Sequence, residues 1–197
     1  RVSVRVPRGL KAELRDYQRE GWAWLKRLST FGAGACLADD MGLGKTVQAI
    51  AALLDRAALG PALVVAPTSV GPNWARELQR FSPSLEVTLL RDTSRDRSVI
   101  EGLGPRHVVV TSYDLARIDV ELLAPVTWAT LVLDEAQRVK NARTKTADAL
   151  GRLDAGWRLA LTGTPVENRL SDLWSLFRIV SPGLLGAWES FRERFAV

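Results

Sequence analysis

The sequence predicts an α/β domain, doubly wound, with a mostly parallel sheet that carries helices on both faces. Two observations point there. Short, nearly continuous apolar runs alternate along the chain with longer segments of helical periodicity, and runs of that kind suit strands buried on both sides. The first run also passes through a glycine-rich turn directly into an amphipathic helix pattern that opens with Lys45-Thr46.

Taken in order, Leu14 to Leu28 shows helix spacing at Tyr17, Gly21, Trp24, Leu25 and Leu28, after a loop holding Pro7 and Gly9. Apolar runs place strands at Ala33–Ala38, Ala62–Ala66, Val87–Leu90, Val108–Thr111, Thr130–Leu133 and Leu159–Thr162. Helices are expected between them at Lys45–Ala58, Pro72–Phe81, Ser94–Glu101, Thr144–Leu153 and Leu170–Val180. Ser181-Pro182-Gly183 is the expected boundary, and Leu184–Val197 reads as the helical start of a further segment. No internal repeat or low-complexity tract is visible.

Composition fits one catalytic lobe. The chain has 197 residues, 47% hydrophobic and 25% charged, enough for one large core. No apolar run approaches the roughly 18 residues of a membrane span, and Arg1 to Pro7 resembles no signal or transit peptide. A single Cys36 excludes an internal disulfide and reads as a small buried hydrophobe of a reducing compartment. His107 is also alone, which excludes a His-based triad or a zinc site assembled within the chain. The net charge of +5 and pI near 9.9 favour an anionic polymer as partner. Arginine outnumbers lysine, however, and charge by itself does not establish nucleic-acid binding. The chain begins without Met and reads as a fragment.

Chemistry concentrates at Asp39-Asp40-Met41-Gly42-Leu43-Gly44-Lys45-Thr46. A strand, a glycine turn and a helix N-terminus form a phosphate cradle, in which backbone N–H groups and the helix dipole face the anion. Lys45 can reach the β- and γ-phosphates, and the Thr46 hydroxyl can ligate Mg²⁺. The pattern GxxxxGK[ST] asks for glycine at position 39, where this chain has Asp39. The matching signal is Leu131-Val132-Leu133-Asp134-Glu135-Ala136-Gln137, an apolar strand ending in two carboxylates. In a parallel sheet that tip lies along the crevice holding the phosphate loop. Asp134 is then suited to the metal and Glu135 to the attacking water.

Further segments form a set: Leu14-Arg15-Asp16-Tyr17-Gln18-Arg19-Glu20-Gly21, Val64 to Ser69 followed by Trp74, Glu77 and Phe81, Val109 to Tyr113, and Leu159 to Asn168. Each has a bland reading. Thr68, Ser69, Thr111 and Ser112 at strand ends are equally suited to helix caps or turns. Trp22, Trp24, Trp74 and Trp174 read as packing residues before base-stacking platforms.

The order and wording of the set resemble the first RecA-like motor lobe of superfamily-two helicase-like ATPases, specifically the SWI/SNF-type DNA translocases. The carrying motifs are Leu-x-x-Tyr-Gln-x-x-Gly, Asp-x-Met-Gly-Leu-Gly-Lys-Thr, Asp-Glu-Ala-x-x-x-Lys-Asn and Leu-Thr-Gly-Thr-Pro-x-x-Asn, from about Leu14 to Phe177. Asp39 in place of the first glycine is ordinary in this family. Asp40 stands where Glu is commoner, Asp16 where Pro is common, and Gln137 where His is familiar; the Gln form looks like bacterial or archaeal members.

The resemblance implies a division of 1–13 as lead-in, 14–180 as ATP-binding lobe, and 181–197 as the start of an extension toward a second lobe. It implies ATP and Mg²⁺ as cofactors. Gln18 reads the adenine edge, with Arg15 and Tyr17 framing that pocket. Asp39 to Thr46, including Met41, wrap the triphosphate, and Asp134 and Thr46 serve the metal. Lys45, Asp134, Glu135 and Gln137 serve catalysis, and Gln137 with Thr162, Gly163 and Thr164 couples the γ-phosphate site to lobe movement. Pro67, Thr68, Ser69, Thr111, Ser112, Lys140 and Asn141 face the backbone of double-stranded DNA, with little dependence on base sequence. The implied function is a DNA-dependent ATPase that translocates on duplex DNA and remodels protein–DNA complexes. Without the second lobe and its arginine, this chain is expected to hydrolyse ATP poorly. An RNA helicase lobe and an ATP-gated scaffold are the alternatives; Leu-Thr-Gly-Thr-Pro in place of Ser-Ala-Thr argues against the first, and retention of Lys45, Thr46, Asp134 and Glu135 against the second. The implied location is the cytoplasm, at the nucleoid, or the nucleus if the source is eukaryotic.

Overall fold

The computed structural model describes residues 4–40, 42–91, 98–139, 144–163 and 170–195. Six strands, β1 (Ala35–Leu37), β2 (Ala62–Ala66), β3 (Glu86–Leu89), β4 (His107–Ser112), β5 (Thr130–Leu133) and β6 (Arg158–Leu161), pair in the order β1-β6-β5-β2-β4-β3. Every pairing is parallel. The helices are α1 (Asp16–Thr30), α2 (Lys45–Arg56), α3 (Gly71–Phe81), α4 (Ser98–Glu101), α5 (Tyr113–Ile118), α6 (Val120–Leu123), α7 (Lys145–Arg152), α8 (Leu170–Val180) and α9 (Trp188–Phe195).

Strand alternation divides the apolar side chains between two cores. Ala62, Val64 and Ala66 of β2 face one core with α1, α2 and α3, while Leu63 and Val65 face the other with α5, α7 and α8. Val132 of β5 joins the first core and Leu131 and Leu133 the second. Because successive side chains point to opposite faces, a strand covered on both sides must be apolar at every position. That is the pattern the sequence shows. Arg56 at the end of α2 ties that helix to the sheet, donating to the Thr130 hydroxyl and the Ala129 carbonyl, both at 2.9 Å, and lying over the Trp157 ring.

The departures from expectation have local causes. The first strand has three residues, because Ala33 completes the end of α1: its N–H donates to the Leu28 carbonyl (3.0 Å) beyond Gly32, whose φ is 71°. The helix after the phosphate loop stops at Arg56 and tightens into a 3₁₀ turn at Ala57–Leu59. Residues 94–97 of one expected helix lie outside the described residues, and α4 holds its remainder. Helices α5 and α6 and a 3₁₀ turn at Ala136–Val139 have no counterpart in the sequence reading; six and four residues are too few to display a helical period. Trp22 and Trp74 are buried, whereas Trp24 is partly exposed and Trp174 meets Trp188 edge-on at 5.6 Å. Cys36 is only half-buried, with its thiol pushed up to about 11 by desolvation. Among the described residues no helix is long and apolar enough to cross a membrane.

The strand order decides what meets at the C-terminal edge of the sheet. The tips run from the Asp39–Lys45 turn after β1, through Thr162 after β6 and Asp134 after β5, to Pro67 after β2 and Ser112 ending β4.

Candidate functional site

Gly42 and Gly44 shape the turn after β1, with φ of 82° and 74°, a region strained for any residue carrying a Cβ. A Cβ at Gly44 would also lie 2.4 Å from Gln18 Nε2, whereas one at Gly42 would meet nothing within 4 Å among the described residues. Gly44 caps α2 without any side-chain hydrogen bond, so the first-turn N–H groups remain available to an anion. Lys45 Nζ donates to the carbonyls of Asp39 (2.6 Å) and Asp40 (2.9 Å), folding its ammonium across the loop. Thr46 is half-buried in the same turn.

Two strands away, Asp134 is 8% exposed. Its Oδ2 accepts from Trp74 Nε1 at 2.7 Å and its Oδ1 from the Glu135 N–H at 2.9 Å. The Tyr113 hydroxyl donates to the Asp134 carbonyl at 2.8 Å. Burial pushes the Asp134 carboxyl above the usual carboxylate range; the Trp74 and Glu135 N–H donors and the Lys45 ammonium pull the other way, and the Glu135 charge adds to the rise. The Lys45 ammonium is therefore near enough to act on the Asp134 carboxylate. Glu135 has φ of 50°, a left-handed conformation that costs a side-chain-bearing residue about 1–2 kcal/mol. Strain of this kind gathers at working sites. Gln137 Nε2 donates to Glu135 Oε2 at 2.5 Å, and Gln137 Oε1 accepts from the Thr162 hydroxyl at 2.7 Å. One relay thus spans the tips of β5 and β6, with Gly163 adjoining Thr162.

A cavity of about 410 Å³ lies on the outer side of the loop, lined by Arg15, Tyr17, Gln18, Gly42 and Val47. Arg80 and Phe81 from the end of α3 close it, two residues the sequence reading did not assign. Gln18 is 8% exposed. Its Oε1 accepts from the Arg15 N–H (3.0 Å), and its Nε2 donates to the Leu43 carbonyl (3.1 Å), as does the Tyr17 hydroxyl (3.2 Å). The start of α1 is thereby pinned to the phosphate loop.

On the other side, Pro67, Thr68, Thr111 and Ser112 line a cleft of about 600 Å³, with Arg91 on its wall. Thr68 and Ser69 are exposed, and Pro67 is buried. The Ser112 oxygen accepts from the Leu115 N–H at 3.2 Å, capping α5. The Thr111 hydroxyl, in a residue 2% exposed, has no partner among the described residues. Met41, Lys140, Asn141 and Thr164 lie outside the described residues. Trp74 and Tyr113 belong to the site although the sequence marked Trp74 for packing and gave Tyr113 no role. The available signal was chemical: a buried indole or phenol needs an acceptor, and both follow strand tips.

The residues present fit a magnesium-bound triphosphate. Thr46 and Asp134 offer the hard oxygen ligands that magnesium takes, and the Lys45 ammonium and the bare start of α2 suit phosphate oxygens. A parallel sheet with this loop and acidic pair along one edge, one strand between them, is the RecA-like lobe of a helicase-type ATP-binding protein. Residues 17–197 match the SNF2-related domain, and the chain belongs to that family. It is 46% identical over 199 residues to YwqA of Bacillus subtilis (strain 168), named as an ATP-dependent helicase/translocase, covering 98% of this chain and 22% of that protein. To the TATA-binding protein-associated factor mot1 of Schizosaccharomyces pombe it is 38% identical over 206 residues, covering 96% of this chain and 10% of that protein. The Sulfolobus solfataricus SWI2/SNF2 ATPase core in complex with dsDNA superimposes with a TM-score of 0.87 at 41% identity, over 98% of this chain and 41% of that one. The chain thus spans a quarter or less of these curated relatives.

Proposed function

We propose that this chain is the first motor lobe of an ATPase that moves along double-stranded DNA and remodels protein–DNA complexes. The observation that carries the reading is the row of strand tips, with Lys45 and the Asp134-Glu135 pair at one end and the cleft of Pro67, Thr68 and Ser112 at the other. ATP is the substrate, with the adenine in the cavity beside Gln18 and the phosphates on the Asp39–Thr46 loop. Lys45 leaves its two loop carbonyls for the β- and γ-phosphates. Thr46 and Asp134 hold magnesium, which when bound neutralises charge on the triphosphate. Glu135 orients the attacking water and takes its proton. Gln137 and Thr162 sense this event through the relay between β5 and β6. Thr68 and Ser69 face the DNA backbone, joined by Ser112, whose O–H is still free to donate beyond its capping bond. Contacts of this kind carry little base information.

Residues 14–180 form the lobe, and 181–197 lead toward a second lobe whose arginine completes the site, so the isolated chain hydrolyses ATP weakly. The protein works at the nucleoid or, in a eukaryotic source, in the nucleus. The test measures ATP turnover of the full-length protein with duplex DNA, single-stranded DNA and RNA, at several salt concentrations. Duplex DNA is expected to stimulate most and its binding to weaken steeply with salt. Equal stimulation by RNA would overturn the reading.

A further inference from the structure

Four tryptophans are fully buried: Trp22, Trp74, Trp128 and Trp157. Three of them donate to main-chain carbonyls, those of Arg5, Leu123 and Ala33. Trp74 instead donates to a carboxylate, Asp134 Oδ2, a charge-assisted bond stronger than its neutral counterparts. Tyr113, also buried, donates from its hydroxyl to the main-chain carbonyl of the same residue. Two aromatic donors thus hold Asp134, one at its side chain and one at its backbone.

Both donors are wired to the cleft. Pro67 leads into α3 through continuous main-chain bonds: the Val70 and Gly71 N–H groups donate to the Pro67 carbonyl (2.8 and 3.1 Å), and the Trp74 N–H donates to the Val70 carbonyl (3.1 Å). Tyr113 directly follows Thr111-Ser112, and Ser112 caps the short helix that Tyr113 opens. Two of the strand tips that line the cleft, those of β2 and β4, therefore send a donor to Asp134: Tyr113 directly after its strand, and Trp74 from the first turn of α3.

We infer that Trp74 and Tyr113 are positioning residues that couple DNA contact to the nucleotide site through Asp134. The inference rests on the reading above, that the cleft faces DNA and Asp134 serves the metal. A shift of either tip toward a DNA backbone moves a side chain packed in a dense core, and such cores transmit displacement with little absorption. Coupling of this kind is reciprocal, so bound nucleotide changes DNA affinity by the same factor that DNA changes nucleotide affinity.

The test uses the full-length protein and measures duplex DNA affinity with and without a non-hydrolysable ATP analogue plus Mg²⁺, in wild type, Tyr113→Phe and Trp74→Phe. Wild type is expected to shift its DNA affinity about tenfold on binding the analogue. Each variant keeps its nucleotide-free DNA affinity within about twofold of wild type, while the nucleotide-induced shift falls below about threefold. Tyr113→Phe removes one oxygen only, so it reports even if Trp74→Phe folds poorly. A coupled wild type with an equally coupled Tyr113→Phe overturns this inference and leaves the proposed function standing. A wild type whose DNA affinity ignores nucleotide overturns both.

Discussion

Lys45 rests on the carbonyls of Asp39 and Asp40, its own near neighbours, whereas Asp134 takes its donors from Trp74 and Tyr113, on helices that follow two other strands. The phosphate loop is partly exposed, and the acidic corner is buried. One half of the site is therefore a local motif that the chain can shape from its own turn. The other exists only after three strands have paired and two helices have packed. An exposed loop tolerates rearrangement around a ligand. A buried carboxylate with fixed donors keeps one geometry, because losing a donor leaves a desolvated oxygen unsatisfied.

This contrast predicts unequal effects. The largest is expected for Glu135→Gln in the full-length protein: DNA-stimulated turnover falls about 10³-fold, the scale of losing a general base, while affinity for a fluorescent ATP analogue stays within about twofold. A variant that still turns over within tenfold of wild type removes Glu135 from the reaction. Next comes Trp74→Phe, which orphans Asp134 Oδ2 and leaves a small void; urea unfolding should show a loss of about 3 kcal/mol. Gly44→Ala should lose less, about 1–2 kcal/mol, from its left-handed backbone, because the approaching Gln18 amide belongs to a side chain that can move aside. If Gly44→Ala proves the costlier of the two, the acidic corner is not the rigid half.

The smallest effect sharpens the same contrast at β1. Cys36 lies on the strand feeding the loop, with its thiol raised from 9.0 to about 11. Deprotonation, and with it alkylation by iodoacetamide, rises only as pH approaches 11, since the thiolate is the reactive form. At pH 8 the folded protein should react about 100-fold more slowly than the urea-unfolded chain. Equal rates would mean that this strand opens freely.

Residue patterns alone were enough for the parallel sheet, the glycine turn before α2 and the acidic strand end, since each is written in consecutive residues: Val64 and Val65 both apolar, Gly42 and Gly44 before Lys45, Asp134 after Leu133. Helix α8 has the bounds its periodicity predicts, Leu170–Val180. Short helices escaped because α5 and α6 are shaped by a cap at Ser112 and by packing, with too few residues to repeat. The wall that Arg80 and Phe81 supply to the cavity beside Gln18 was equally hidden, since nothing in their own neighbourhood speaks of a ligand.

By itself, then, the amino-acid order determined which chemical groups this lobe owns and on which strand tips they stand, because period-two burial and turn chemistry act between near neighbours. Only the folded chain decided that β6 lies between β1 and β5, bringing Thr162 to Gln137 and Gln137 to Glu135. It alone decided that a tryptophan and a tyrosine from distant segments end on one aspartate. The reason is physical: a buried donor takes whichever acceptor the completed packing presents, and no local pattern names a partner supplied by another strand.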